Sequence, residues 1–167
     1  VEETGIAQFY RDARIASIYE GTNGIQAIDL VGRKLLRDGG ATVSAFVTDM
    51  RSVDAPLANA GDEFAVLRKA LSRALDELVQ CSTYLLTAER KDPELAGAAA
   101  FDYMMLIGTA IGGWQLARGA LVAIDQLNAG TDDKPFLQAQ VVMARFYAEH
   151  VLPRCTAYAA AVQAGSA

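Results

Sequence analysis

The chain is poor in the residues that build metal centres, disulfide scaffolds and sheets. Among its 167 residues are one histidine and two cysteines. Cys81 and Cys155 stand apart, with no metal-ligand spacing around them, so no metal site is expected. They read as buried thiols of a reducing compartment, which places the protein in the cytoplasm. Basic residues are outnumbered, 15 Lys and Arg against 20 Asp and Glu, and form no stripe. The electrostatic footprint of a nucleic-acid binder is absent. No signal peptide opens the chain. The longest apolar run, "YMMLIGTAIGGWQLA" at 103–117, falls short of the roughly 20 residues that span a bilayer. It reads as a buried core helix, and no membrane partner is expected. No stretch alternates with period two, no repeat is visible, and proline occurs four times. A sheet protein is excluded on these grounds.

What is abundant is apolar and helix-forming. Hydrophobic residues make up 52% but aromatics only 8%, so the apolar share is mostly Ala, Leu, Val and Ile. Alanine is the best helix former. The expectation is an all-α, antiparallel helical bundle with short loops. The opening "VEETGIAQFYRDAR", without an initiator methionine, reads as the interior of a longer protein.

Periodicity places the helices. Ile6, Phe9, Ala13 and Ala16 mark one face over 5–18. Ile25, Ile28, Val31, Gly32 and Leu35 point inward over 24–38, with Asp29 and Arg33 paired four apart and Gly39 as the stop. Val43, Phe46, Val47 and Met50 give a weaker helix over 42–58. Asp62 is a candidate cap for 63–91, whose stripe is Phe64, Leu67, Leu71, Leu75, Leu78, Ser82 and Leu85. Asp92 and Pro93 open a helix over 93–128. Gly108, Gly112, Gly113 and Gly119 within it predict close packing on a neighbour. A last helix starts near 133 with Phe136, Met143, Phe146, Tyr147 and His150 inward, and Pro153 kinks or breaks it. The lone His150, Trp114 and the methionines read as packing residues. Arg11, Asp12 and Arg14 read as ties between the first helix and its neighbours.

Chemistry concentrates in "ASIYEGTNGIQAIDLVGRK", residues 16–34. Glu20 sits between an aromatic and a glycine in a turn before a helix. A ligand covering that turn would strip water from the carboxylate and raise its pKa from about 4.3 toward neutrality. A base so tuned can remove a weakly acidic C–H proton. Thr22, Asn23 and Gly24 would offer N–H groups at a helix start, where phosphate is favoured. The same residues also suit an ordinary surface turn with Asn23 as N-cap.

The longer run "GIAQFYRDARIASIYEGTNGIQAIDLVGRKL" (5–35) resembles the C-terminal signature of the acyl-CoA dehydrogenases. "FDYMMLIGTAIGGWQLARGAL" and "ARFYAEHVLPRCTAYAAAVQAG" resemble the C-terminal helical extension of their larger subfamily, including the broad-chain and 3-methylmercaptopropionyl-CoA dehydrogenases. The resemblance implies two parts: residues 1–40, ending the family's C-terminal helical domain and carrying its catalytic loop, and residues 41–167, the extension. It implies α,β-oxidation of an acyl-CoA thioester to the trans-2-enoyl-CoA, with Glu20 as α-proton base and hydride transfer to FAD. Tyr19 and Gly21 would meet the substrate. Thr22 and Gly24 would meet the FAD phosphate region, although many members carry glutamine where Gly24 stands. An electron-transfer acceptor and a homo-oligomer complete the implied partners. Most FAD and CoA contacts in the family come from domains before this point, so the chain alone is expected to be inactive. The competing reading is a non-catalytic helical interaction or oligomerisation module, because 41–167 carries no candidate catalytic set.

Overall fold

The computed structural model describes residues 2–19, 21–88 and 91–166. These form α1 (Ile6–Ile18), α2 (Asn23–Asp29), α3 (Ala41–Arg51), α4 (Asp54–Ala60), α5 (Ala65–Ala88), α6 (Leu95–Ala129), α7 (Lys134–His150) and α8 (Arg154–Gln163). A π-helical segment, Leu30–Leu36, continues α2, and a 3₁₀ turn, Asp62–Phe64, leads into α5. There is no strand among the described residues. The architecture is the all-α antiparallel bundle that the composition predicts.

The 35-residue α6, about 52 Å long at 1.5 Å per residue, is the axis of the bundle. Its buried stripe runs through Leu95, Ala99, Tyr103, Leu106, Ala110, Gly113, Ala117 and Ala120. These steps of three and four keep one face toward α5, α7, α8 and α2. Most of the stripe is Ala or Gly, which lets neighbouring backbones come close. By length and composition α6 could also cross a membrane, yet here its small-residue face is the centre of the core.

The closest approach lies at two glycines. A Cβ on Gly113 would stand 2.8 Å from Leu152 Cδ2, and one on Gly112 would strike the Tyr147 ring. Tyr147 donates its hydroxyl proton to the Thr109 carbonyl at 3.1 Å, tying α7 to α6 at the same level. Close packing thus explains Gly112 and Gly113. It does not explain Gly108 or Gly119, whose missing Cβ would meet nothing within 4 Å.

This closeness overturns the expected inner face of α7. Leu137, Ala144 and Ala148 face the core, while Phe136, Met143, Phe146 and His150 are exposed. Of the residues expected inward, only Tyr147 packs against the core. A helix seated against glycines has room for alanine and not for phenylalanine. The same correction applies to α2 and the π-helical segment after it, where Ala27, Val31 and Leu35 are buried but Ile25 and Ile28 are exposed. The π-helical i→i+5 bonding widens the turn, bringing residues four apart nearer to one line. Asp29 and Arg33 do pair, at 3.3 Å.

The helix expected over 42–58 is two helices. Pro56 has no N–H to give Ser52 and its ring would collide with that carbonyl, so the chain turns at Ser52–Val53. Val43, Val47 and Met50 are buried as read from the pattern, and Phe46 meets Trp114 edge-on at 5.5 Å. The α5 stripe from Phe64 to Leu85 is buried throughout. Neither expected acidic cap forms. Gly61 takes the cap position before Phe64, and Asp92 accepts a bond from Ser166 at 2.6 Å. The acidic cap that does form is Asp38, which accepts the N–H groups of Gly40 and Thr42 at 2.9 and 3.0 Å. Hydrogen bonding, first from the Thr42 side chain, holds its carboxyl below the usual range. Gly39 and Gly40 adopt positive φ at the helix end, and the Gly40 N–H reaches the Leu35 carbonyl at 2.9 Å. Pro153 separates α7 from α8.

One polar relay crosses the core. Ser82 donates its only proton to the Leu78 carbonyl at 2.7 Å, so Tyr103, 2.8 Å away, donates to Ser82. Tyr103 is completely buried.

Two predictions follow from this packing, each read by urea unfolding of the chain. Gly113→Val should destabilise by about 1–3 kcal/mol through overpacking against Leu152. Gly108→Ala should instead stabilise by up to about 1 kcal/mol, since only helix propensity changes. Equal effects at the two sites would contradict the packing described. At the relay, Ser82→Ala should cost about 1–3 kcal/mol because it strands a buried hydroxyl. Tyr103→Phe, which leaves Ser82 bonded to Leu78, should cost less, and adding it to Ser82→Ala should recover part of the loss.

Candidate functional site

The turn that holds the candidate residues begins where α1 stops. The Tyr19 N–H bonds the Ile15 carbonyl at 2.7 Å, and the Tyr19 backbone then becomes extended, with its ring 76% exposed. Glu20, the candidate base, lies outside the described residues. Gly21 is exposed and open on its Cβ side. Thr22 follows at φ 59°, ψ 44°, a left-handed conformation unusual for a β-branched residue. It is the one non-glycine residue with positive φ among those described. Such a conformation costs on the order of 1–3 kcal/mol and concentrates at functional turns.

Local hydrogen bonds hold this turn. The Thr22 hydroxyl donates to the Gly21 carbonyl at 2.6 Å, and the Thr22 carbonyl accepts from the Gln26 N–H at 2.9 Å. Thr22 thereby occupies the N-cap position of α2 that the sequence suggested for Asn23. No side chain caps the helix, and no acidic residue occupies its first turn. Gly24 is exposed with open space about it. The arrangement suits an external anion, because the first-turn N–H groups of a helix point along its axis and favour negative charge there.

Tyr19, Gly21, Thr22 and Gly24 are thus brought into one exposed turn. None of them lines the grooves between α3, α4 and α5, between α6 and α7, or between α5 and α7. The helix before the turn is also bare. Ile6, Phe9, Tyr10 and Ile15 of α1 are all exposed, Phe9 by 74%. Arg11 bonds Glu2 at 2.9 Å, and Asp12 accepts from Gln8 at 2.9 Å. These two side chains secure their own segment rather than tying α1 to a neighbour.

The bundle itself holds no poised nucleophile among its described residues. Cys81 and Cys155 are free and buried, and desolvation pushes the Cys155 thiol up to about 12. Burial likewise pushes Tyr103 up to about 12. Among the described residues no group of three His, Cys, Asp or Glu could hold a metal ion. His150 lies exposed against Phe146, with ring centroids 4.6 Å apart. Trp114 is buried as expected, and its Nε1–H has no acceptor among the described residues. The sequence reading missed Arg118, whose guanidinium stacks over the Trp114 ring at 4.9 Å. A cation four residues after the lone tryptophan of an apolar helix was the available signal.

Comparison with known proteins bears on the whole chain. Residues 40–167 match the family model described as acetyl-CoA dehydrogenase C-terminal like. The chain is 42% identical over 157 residues to a 3-methylmercaptopropionyl-CoA dehydrogenase of Ruegeria pomeroyi, covering 94% of this chain and 26% of that protein. It is 35% identical over 163 residues to the broad-specificity linear acyl-CoA dehydrogenase FadE5 of Mycobacterium tuberculosis, covering 93% and 27%. A butyryl-CoA dehydrogenase of Syntrophomonas wolfei is 30% identical over 158 residues, covering 92% and 25%. The chain therefore spans about a quarter of the length of these relatives. An all-helical bundle that matches the family model and these dehydrogenases over nearly its full extent belongs to the acyl-CoA dehydrogenase family, as a C-terminal portion of it.

Proposed function

We propose that this chain is the C-terminal portion of a flavin-dependent enzyme that oxidises an acyl-CoA thioester to the trans-2-enoyl-CoA. The observation that carries the reading is the turn at 19–24, with a strained Thr22 opening an uncapped helix, in a chain similar to named acyl-CoA dehydrogenases. In this reading residues 1–40 end the dehydrogenase helical domain with its catalytic loop, and 41–167 form the extension that supports it. Val31 and Leu35 anchor the helix after the loop into the same core as α5 and α6, a rigid base for the turn.

Glu20 is the proposed base for the α-proton. A thioester lying over the turn would exclude water from its carboxylate and raise its proton affinity toward the pH of reaction. The backbone N–H of Glu20 would bond the thioester carbonyl, stabilising negative charge as the α-proton leaves. Gly21 gives that carbonyl a close approach, since a Cβ would intrude there. Tyr19 offers its exposed ring to the acyl chain.

FAD fits the described residues as far as they reach. The first-turn amides of α2 and the open backbone at Gly24 suit its phosphates, and the Thr22 oxygen retains lone pairs for a further bond. When bound, FAD supplies acceptance of the hydride from the β-carbon. Three or four residues of one turn are too few to retain the cofactor, so the rest of the site belongs to the remainder of the enzyme. The bare apolar face of α1 supports the same division, because exposed faces of this kind are ordinarily covered by a partner. A homo-oligomer, a separate electron-transfer acceptor and a cytoplasmic location belong to the same reading.

In the full-length enzyme, Glu20→Gln should keep flavin bound and lower dye-coupled oxidation of acyl-CoA by about 10²–10⁴-fold. Unimpaired oxidation in that variant would remove Glu20 from the mechanism. The 167-residue chain alone should purify colourless and self-associate through α1. Stoichiometric flavin absorbance, or a monomer at high concentration by sizing with light scattering, would contradict the division of the site.

A further inference from the structure

Several grooves on the bundle hold arginine, and they differ in whether a carboxylate already neutralises it: Arg73 meets Glu77 at 3.1 Å and Arg145 meets Glu149 at 2.9 Å. The groove between α3, α4 and α5, about 400 Å³, is lined by Arg51 and Arg68. Both are already neutralised: Arg51 meets Asp76 at 2.6 Å, and Arg68 forks onto Asp54 at 2.7 and 2.9 Å. An incoming anion there would have to displace a carboxylate. The groove between α6 and α7, about 480 Å³, is lined by Arg118 and by no acidic residue. Among the described residues no carboxylate pairs with this guanidinium. It is held instead by neutral contacts, stacking on Trp114 and a 3.2 Å bond to the Gln115 side-chain oxygen. A guanidinium so oriented has N–H groups left over, and its fork matches phosphate oxygens.

The remainder of the groove has a different chemistry. Phe136 stands at its edge with 57% of its surface exposed, an aromatic face without a ring partner among the described residues. Gln126 of α6 and Gln140 of α7 also line it. Each amide offers a donor beside an acceptor, the pattern that pairs bidentately with the N6/N7 edge of adenine. Gly119 keeps the wall open, with nothing within 4 Å of its missing Cβ. The helical steps Gln115, Arg118, Val122 and Gln126 align one wall, and Phe136 with Gln140 forms the other. It is an open groove rather than an enclosed cavity, so a ligand there would keep one side in solvent.

We infer that the α6–α7 groove binds an adenine nucleotide, with phosphate on Arg118 and the base stacked on Phe136 and bonded by glutamine amides. Free nucleotides and coenzyme A both carry this group. The groove would serve either one, whether or not Glu20 acts as a base.

The test uses the 167-residue chain, whose single tryptophan is Trp114, directly beneath Arg118. Titrated with AMP, its indole emission should change saturably, and saturation-transfer NMR should show contact to the adenine protons. Arg118→Gln should weaken AMP binding at least about tenfold, read by NMR because the substitution itself alters the indole environment. Phe136→Ala should weaken AMP to a similar extent and leave the weaker response to inorganic phosphate unchanged. Circular dichroism verifies that both exposed-site variants fold. Coenzyme A binding as well as AMP assigns the groove to the carrier, and AMP binding without coenzyme A assigns it to free nucleotide. The inference is overturned if AMP gives no saturable signal up to about 10 mM. It is equally overturned if phosphate alone reproduces the AMP affinity, if Arg118→Gln binds AMP normally, or if coenzyme A binds while AMP does not.

Discussion

The structure depends on how closely α7 and the start of α8 can approach α6. That distance is set at Gly112 and Gly113, where Tyr147 and Leu152 occupy the space a side chain would take. Everything near this contact is sized to it. The inner face of α7 is Leu137, Ala144 and Ala148, and α6 answers with Ala110, Ala117 and Ala120. Small residues on both helices exchange side-chain bulk for backbone proximity, and the larger residues pack farther out, among α5, α3 and the π-helical segment. Polar atoms inside this packing are bonded where they can be, as in the Tyr103–Ser82–Leu78 relay.

A core built this way is complete without α1. The helix is 13 residues long, near the length at which isolated helices are marginal in water. Its described large apolar side chains, Ile6, Phe9, Tyr10 and Ile15, are exposed. Gly21 and Thr22 are fixed to the bundle by α2 and the π-helical segment, rooted in the core through Ala27, Val31 and Leu35. That arrangement accords with the proposed catalytic loop, whose other wall further protein would supply. The family relation makes such a wall natural, since the relatives are about four times longer than this chain.

The sequence made the helical class, the α5 stripe, the buried cysteines and the break at Pro153 legible, because each is a local or strictly periodic signal. It misjudged α7 because hydrophobicity ranks phenylalanine above alanine for burial. Proximity to glycine reverses that order, and the glycines lie some 35 residues away along the chain. Ile25 and Ile28 were misplaced for a related reason, since they belong to the face that extends beyond the core. Pro56, read too lightly, divides one expected helix in two. The candidate turn was found from the motif at 19–24, whereas the left-handed Thr22 carries no sequence mark. Arg118 is legible only as a cation four residues after the lone tryptophan, since its partner is a neutral ring rather than a carboxylate.

The central claim is that residues 41–163 with the α2 segment form a self-sufficient core, while α1 and the turn await a partner. Hydrogen exchange of the chain alone, resolved by segment and run dilute enough that light scattering shows a monomer, tests this most directly. The account predicts the slowest amides in α6 from about Leu106 to Ala117, exchanging only with global unfolding, and rapid exchange throughout Ile6–Ile18. Protection of α1 equal to that of α6 in the isolated chain would contradict it.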